Sequence, residues 1–293
     1  MPSKGGKLRF RRREFVFGTS LLSLGLTGGI TGADERIIRF GLTPVFLNDD
    51  LELLSSITSY LEKATGLEIV LTTRRTYQEI TVLLVSGQLD AAWICGYPFI
   101  KYQKDLKLLA IPEWNGKPEY QSYLISGKDR NVSGIEDLAG DIHAFSDPDS
   151  NSGYLVTQAL LQQQGDNRDN YFKKTFFTYA HRNVIRAVAS GLAQSGSVDG
   201  YVWEVLKEID PKLVSRTKVL RKSDWFGFPP IAANRISAKT TNIKVLSQAL
   251  FDSPNSKEGQ KMLAYLRLSG FAKPNIRLFD GIADRIALLE NRT

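Results

Sequence analysis

The chain has 293 residues, 42% of them hydrophobic, 24% charged and 10% aromatic, the balance of a globular protein long enough for one large domain or two smaller ones. Its formal charge of +7 is concentrated at the front: residues 1–33 carry six basic side chains against Glu14 alone, a sum of +5, so the body holds only +2 and argues against nucleic-acid binding. A single cysteine, Cys95, excludes an internal disulfide, and two histidines with one cysteine, widely separated, make no zinc set.

Residues 1–33 read as an export signal. A basic stretch through Arg13 leads into "FVFGTSLLSLGLTGGITGA", and Ala33 precedes Asp34 and Glu35 as a cleavage site. The apolar part is too short and too rich in glycine for a membrane span. Arg12-Arg13-Glu14-Phe15-Val16 resembles the bacterial twin-arginine signal, with Arg11 where that signal has Ser or Thr, so ordinary Sec export stays open. Without a lipobox cysteine a lipoprotein is not expected. The alternative is an uncleaved anchor; the preferred reading puts a mature chain from near Asp34 in the periplasm.

After the signal, strand and helix patterns alternate. "RIIRFGLTP" reads as a buried strand, and "DDLELLSSITSYLEKATG" has helical apolar spacing and a terminal glycine. "LEIVLTT" is a strand; "TYQEITVLLVSG" opens with Thr76 and Glu79 at capping-box spacing. "LDAAWIC" and "LKLLAIPEW" are further strands, and "YQSYLISGK" a crossing strand. "SGIEDLAG" repeats the capping-box spacing with Ser133 and Glu136. "DIHAFSD", "SGYLVTQALLQQQG", "TFFTYA", "RNVIRAVASG" and "SVDGYVW" continue the alternation. "KVLRKSDWFGFPPIAANR" returns through a Trp/Pro-rich turn, and two or three amphipathic helices finish the chain. Repeated strand–helix–strand units predict an α/β fold with mostly parallel sheets. The aromatic segments near 112–123 and 222–230 are candidates for paired crossovers.

The ordered series "IRFGLTP", "GQLDAAWICGYPF", "YQSYLIS", "DLAG", "SDPDSNSGYL", "RAVASG" and "SVDGYVWE" resembles the phosphonate/phosphite-type periplasmic substrate-binding proteins of ABC transporters, over roughly residues 36–270. The resemblance implies a two-lobed periplasmic binding protein (type II-like): residues 36–118 and 226–293 forming one lobe, 119–225 the other, with ligand held in the cleft between them. It also implies a monomer that handles a small oxyanion without cofactor or catalysis.

Candidate ligand residues come from strand ends, where open α/β sheets bind. Ser150, Asn151 and Ser152 stand where a strand passes into a helix. Free N–H groups and short polar side chains there make an anion cradle, or a simple N-cap. The family has Ser-Thr-Ser at this place, gripping phosphonate oxygens. His181, at a strand end, is a hydrogen-bond donor or a structural imidazole; His143, inside a strand, reads as core or hinge. Asp199 suits a protonated oxyanion or an amine, since a carboxylate repels a fully ionised one; it is equally a turn carboxylate, and Glu204 a solvated one. From the first lobe Thr43, Cys95, Gly96 and Tyr97 are expected to face the same crevice.

Cys95 has two readings: a small buried hydrophobe, or a soft sulfur touching ligand, as in the arsenite-binding sensors of this family that signal to a histidine kinase. A Cys95–His181 nucleophile–base pair is the enzymatic alternative; the inferred architecture places the two in opposite lobes. The chain has no Walker-type loop and is not expected to hydrolyse ATP.

Overall fold

The computed structural model describes residues 36–44 and 51–290; the expected export signal lies outside them. The chain opens with β1 (Ile37–Leu42), α1 (Leu51–Thr65), β2 (Glu68–Thr73), α2 (Tyr77–Val85), β3 (Ala91–Trp93), α3 (Gly96–Lys101) and β4 (Leu106–Glu113). Leu53, Ile57, Tyr60 and Leu61 put one face of α1 into the core at helical spacing. Helix α2 starts as expected: Thr76 and Glu79 form a reciprocal capping box.

A short β5 (Glu119–Tyr120) leads into β6 (Ser122–Gly127), a 3-10 turn (Ile135–Leu138) and β7 (Ile142–Phe145). In the 3-10 turn Ser133 bonds Asp137, not the expected Glu136, because the turn starts one residue later, with Gly134 at its N-cap and Asp137 as its third residue. A π-helical turn, Asn151–Leu155, runs into α4 (Val156–Gln163). Then come α5 (Arg168–Tyr171), β8 (Lys174–Phe177), α6 (His181–Ala189), β9 (Ser195–Asp199), α7 (Gly200–Ile209), α8 (Pro211–Val214) and β10 (Thr217–Lys222). The chain closes with β11 (Phe226–Gly227), β12 (Ile231–Asn234), α9 (Thr241–Asp252), α10 (Lys257–Leu266), β13 (Gly270–Ala272) and α11 (Asp280–Glu290).

Two open sheets carry the fold, in the orders β13-β4-β12-β3-β1-β2 and β10-β6-β9-β7-β8. This is the two-lobed α/β architecture the sequence predicts, with one correction. The sheets are mixed, not mostly parallel: β1–β2, β1–β3, β7–β8 and β7–β9 are parallel, and the other five pairings antiparallel. The antiparallel pairs involve the strands that flank the passages between sheets and the late returns β12 and β13. Strands β6 and β12 enter their sheets straight from β5 and β11, with no crossover helix to bring them in parallel, and every antiparallel pairing except β13–β4 involves one of them.

The two passages are β5 and β11, and they pair antiparallel with each other, Phe226 opposite Tyr120. The two aromatic segments are thus paired, as expected. Helix α11 packs on α3 beside the first sheet and on α4 beside the second. Among the described residues no helix is long and apolar enough to cross a membrane.

Candidate functional site

The parallel strands of both sheets aim their carboxyl ends at one junction. In the first sheet β1, β2 and β3 are followed by Thr43, Tyr77 and Cys95; in the second, β7 and β8 are followed by Asp147 and His181, and β9 ends on Asp199. Three direct bonds join the two sets. The Tyr77 backbone N–H donates to Asp147 Oδ2 at 3.1 Å, Tyr77 Oη lies 3.2 Å from His181 Nε2, and the Asn151 N–H donates to Cys95 Sγ at 3.3 Å. Tyr77 opens α2, so Asp147 also sets a carboxylate on a helix N-terminus.

The cradle is built locally. Ser150 caps the π turn, its Oγ accepting the Gly153 N–H at 3.0 Å and its carbonyl the Leu155 N–H. Ser122 Oγ donates to the Ser152 carbonyl at 2.6 Å, tying the turn to β6. Gly153 has to be glycine, for a Cβ there would lie 1.8 Å from Ser146 Oγ. Ser150, Asn151 and Ser152 are all buried. Asn151 Nδ2 donates to Tyr120 Oη at 3.0 Å, on a strand that crosses between sheets.

The histidine's tautomer follows from its partners. His181 Nδ1 accepts the Asp199 N–H at 3.0 Å, so the neutral ring carries its proton on Nε2 and donates it to Tyr77 Oη. Burial pushes its pKa down to about 3, so it stays neutral. The Tyr77 phenol, held well above its ordinary value by burial, keeps its own O–H to donate within the junction.

Asp199 caps α7, Oδ1 accepting the N–H groups of Tyr201 and Val202. Burial outweighs those bonds and raises its pKa to about 7, so near neutrality the carboxyl both accepts and donates. The Cys95 thiol is pushed up to about 12, chiefly by burial, and is protonated.

The structure thus brings Cys95, Ser150, Asn151, Ser152, His181 and Asp199 together. Tyr97 sits half-buried at the rim, its phenol raised by burial and then by nearby Asp149. Two expected residues serve the frame instead. The Thr43 hydroxyl turns back to donate to the Trp93 carbonyl at 3.1 Å, tying β1 to β3. Gly96 faces α11, where a Cβ would lie 2.6 Å from Ile282 Cδ1. His143 is core, with Ser195 and Ser197 hydroxyls on its two nitrogens. Glu204 is not simply solvated: it accepts from the Tyr123 hydroxyl at 3.1 Å and lies 3.8 Å from Lys222 Nζ, because α7 lays it beside β6 and β10.

Sequence reasoning missed Tyr77, Tyr120 and Asp147. The available signal was position: each follows a strand end or stands on a crossing strand.

Among the described residues, four buried side-chain polar atoms lack a hydrogen-bond partner, and two of them, Ser146 Oγ and Asn151 Oδ1, belong to the cradle. Among the described residues no lysine or arginine side chain bonds Tyr77, Cys95, Asp147, Asn151, His181 or Asp199. Positive potential comes from the first turn of the helix, against two carboxyl groups. The arrangement suits a small guest with both acceptors and a hydroxyl.

Comparison with known proteins bears on family and fold. A profile described as "ABC transporter, phosphonate, periplasmic substrate-binding protein" matches residues 40–278. The "Phosphate-import protein PhnD" of Mycolicibacterium smegmatis is 27% identical over 187 residues, 59% of this chain and 58% of that one, so the match spans a little over half of that relative. A binding protein component of an ABC phosphonate transporter from Pseudomonas aeruginosa superposes with a TM-score of 0.79 at 22% identity, covering 86% of each chain. PhnD1 from Prochlorococcus marinus, solved with methylphosphonate, also gives 0.79, at 18% identity over 87% of this chain and 99% of that one.

Proposed function

The chain belongs to the family of periplasmic substrate-binding proteins of phosphonate ABC transporters, and on that premise we propose that it captures a small phosphonate-, phosphite- or phosphate-like oxyanion between its lobes and delivers it to a membrane permease. The observation that carries this reading is the junction: six parallel-strand ends from two sheets meet there, with Asn151 Oδ1 and Ser146 Oγ buried and unpartnered. Ser150, Asn151 and Ser152 hold the oxyanion, Tyr77 donates its free O–H, and Asp199 takes a hydrogen from a protonated guest. Closure removes water and strengthens each of these bonds. Both nitrogens of His181 are engaged, which leaves neither to take a proton from Cys95 and supports binding without catalysis.

The place of Cys95 favours one second reading: a sensor of a soft oxyanion such as arsenite, held by sulfur and docking onto a histidine kinase. Against it stands the protonated state of the thiol. Cys95→Ser separates the two, since only the sensor needs the sulfur.

The test is a thermal-shift screen with phosphate, phosphite, methylphosphonate, arsenite and sulfate. A ligand that binds only the folded state raises the melting temperature by mass action. The proposal expects a shift with phosphonate, phosphite or phosphate; no shift with any of these at millimolar ligand overturns it.

A further inference from the structure

We infer that Asn151 is a specificity-determining residue: its buried side-chain carbonyl requires the guest to offer a hydroxyl, so that the junction selects phosphonates over isosteric sulfonates. The inference rests on the reading of the junction as a phosphonate site.

The side chain is 0% exposed and fixed at two points. Its backbone N–H is committed to Cys95 Sγ across the junction and its Nδ2 to Tyr120 Oη on the passage β5. Oδ1 shares a carbon with Nδ2 and therefore lies at the same junction, yet it has no hydrogen-bond partner. An amide oxygen can only accept. Left facing a guest without a donor, it loses its hydration and faces negative oxygen, a cost that a hydroxyl-bearing guest avoids. A threonine at this place would not impose that demand, because a hydroxyl turns to donate or accept as the guest requires.

Methylphosphonate and methanesulfonate form the natural pair. They share size and tetrahedral shape. At mildly acidic pH each carries one charge, and only the phosphonate keeps an O–H. A site built around a guest hydroxyl rejects the analogue lacking it far more strongly than an apolar pocket resolves a methylene.

Isothermal titration of the two probes against the wild type and Asn151→Thr tests the inference, with Asn151→Ser as the second variant should threonine impair folding. Asp199 is present throughout, so changes in the ratio report position 151. Wild type is expected to prefer methylphosphonate by roughly 100-fold or more. In Asn151→Thr the ratio should shrink about tenfold, mainly through gained sulfonate affinity. An unchanged ratio with methylphosphonate binding intact overturns the role of Asn151 and leaves the proposed function standing. Tighter sulfonate than phosphonate binding by the wild type overturns it too, because Nδ2 would then face the guest. Binding of neither probe, nor of phosphite or phosphate, overturns the underlying reading along with the inference.

Discussion

The Nδ1 of His181 lies 3.0 Å from the backbone N–H of Asp199, and that single bond decides how protons are arranged through the junction. A backbone amide only donates, so the ring must present a lone pair on Nδ1 and a proton on Nε2. Tyr77 Oη receives that proton's hydrogen bond and retains its own hydrogen for a guest.

The tautomer is directly measurable. Long-range ¹⁵N–¹H NMR should show His181 as the neutral Nε2–H form through the neutral range, ionising only near a pKa of about 3. An imidazolium signal at pH 6 would mean that Nδ1 does not accept the Asp199 amide.

Removing the Tyr77 hydroxyl takes away the free donor and the bond between the lobes together. Tyr77→Phe should weaken oxyanion binding by roughly tenfold, corresponding to about 1.5 kcal/mol for one hydrogen bond, and lower the melting temperature without ligand, because the buried His181 Nε2–H loses its acceptor. Calorimetric titration checks the first and a thermal melt the second.

Asp199 makes a stability prediction with a definite sign. Its folded pKa, about 7, exceeds its ordinary value of 3.8, so the folded state binds the proton more tightly. Wild-type stability therefore carries a penalty that grows as pH rises from about 4 to 7, by at most about 1.4 kcal/mol per pH unit. Asp199→Asn lacks that penalty. Its stability relative to wild type should rise across this window and level off above it, in urea titrations run pH by pH. His143 and His181, both lowered to about 3, act with the opposite sign below their ordinary 6.5 but cancel in the comparison.

The Cys95 thiol should be slow to react. It is buried and its pKa is pushed up to about 12, so a thiol reagent reaches it only when the lobes part. Saturating methylphosphonate should slow labelling further, in proportion to the open population it removes. Labelling unaffected by a ligand that demonstrably binds would place Cys95 outside the closing junction.

Gly96→Ala sets a Cβ 2.6 Å from Ile282 Cδ1, on the helix that packs against both lobes. Overpacking of this kind costs about 1–3 kcal/mol. Ile282→Ala in the same chain should restore part of the loss, read from denaturant midpoints of the two single variants and the double.

Much of this was written in local sequence. The capping box at Thr76 and Glu79, the strand ends at Cys95 and Asp199, and the glycine-punctuated helices all act over a few residues, where periodicity and capping chemistry are legible. Ser150 to Ser152 could be read on residues alone only as an N-cap or an anion cradle, and the family resemblance tipped the choice. Tyr77 and Tyr120 were not legible as site residues. Each is an apolar body with one polar tip, and only the approach of the lobes shows the tip reaching His181 or Asn151. The mixed sheets escaped prediction for a similar reason. Strand direction follows from how the chain crosses at β5 and β11, a relation between segments about 100 residues apart that no window contains.

The central claim is that the tips of two sheets close on one oxyanion, and a crystal grown with methylphosphonate tests it most directly. The phosphorus is expected beside Ser150, Asn151 and Ser152, with Tyr77, Tyr120 and Asp199 within hydrogen-bond reach of its oxygens. A phosphonate bound elsewhere, with these six side chains untouched, would contradict the account.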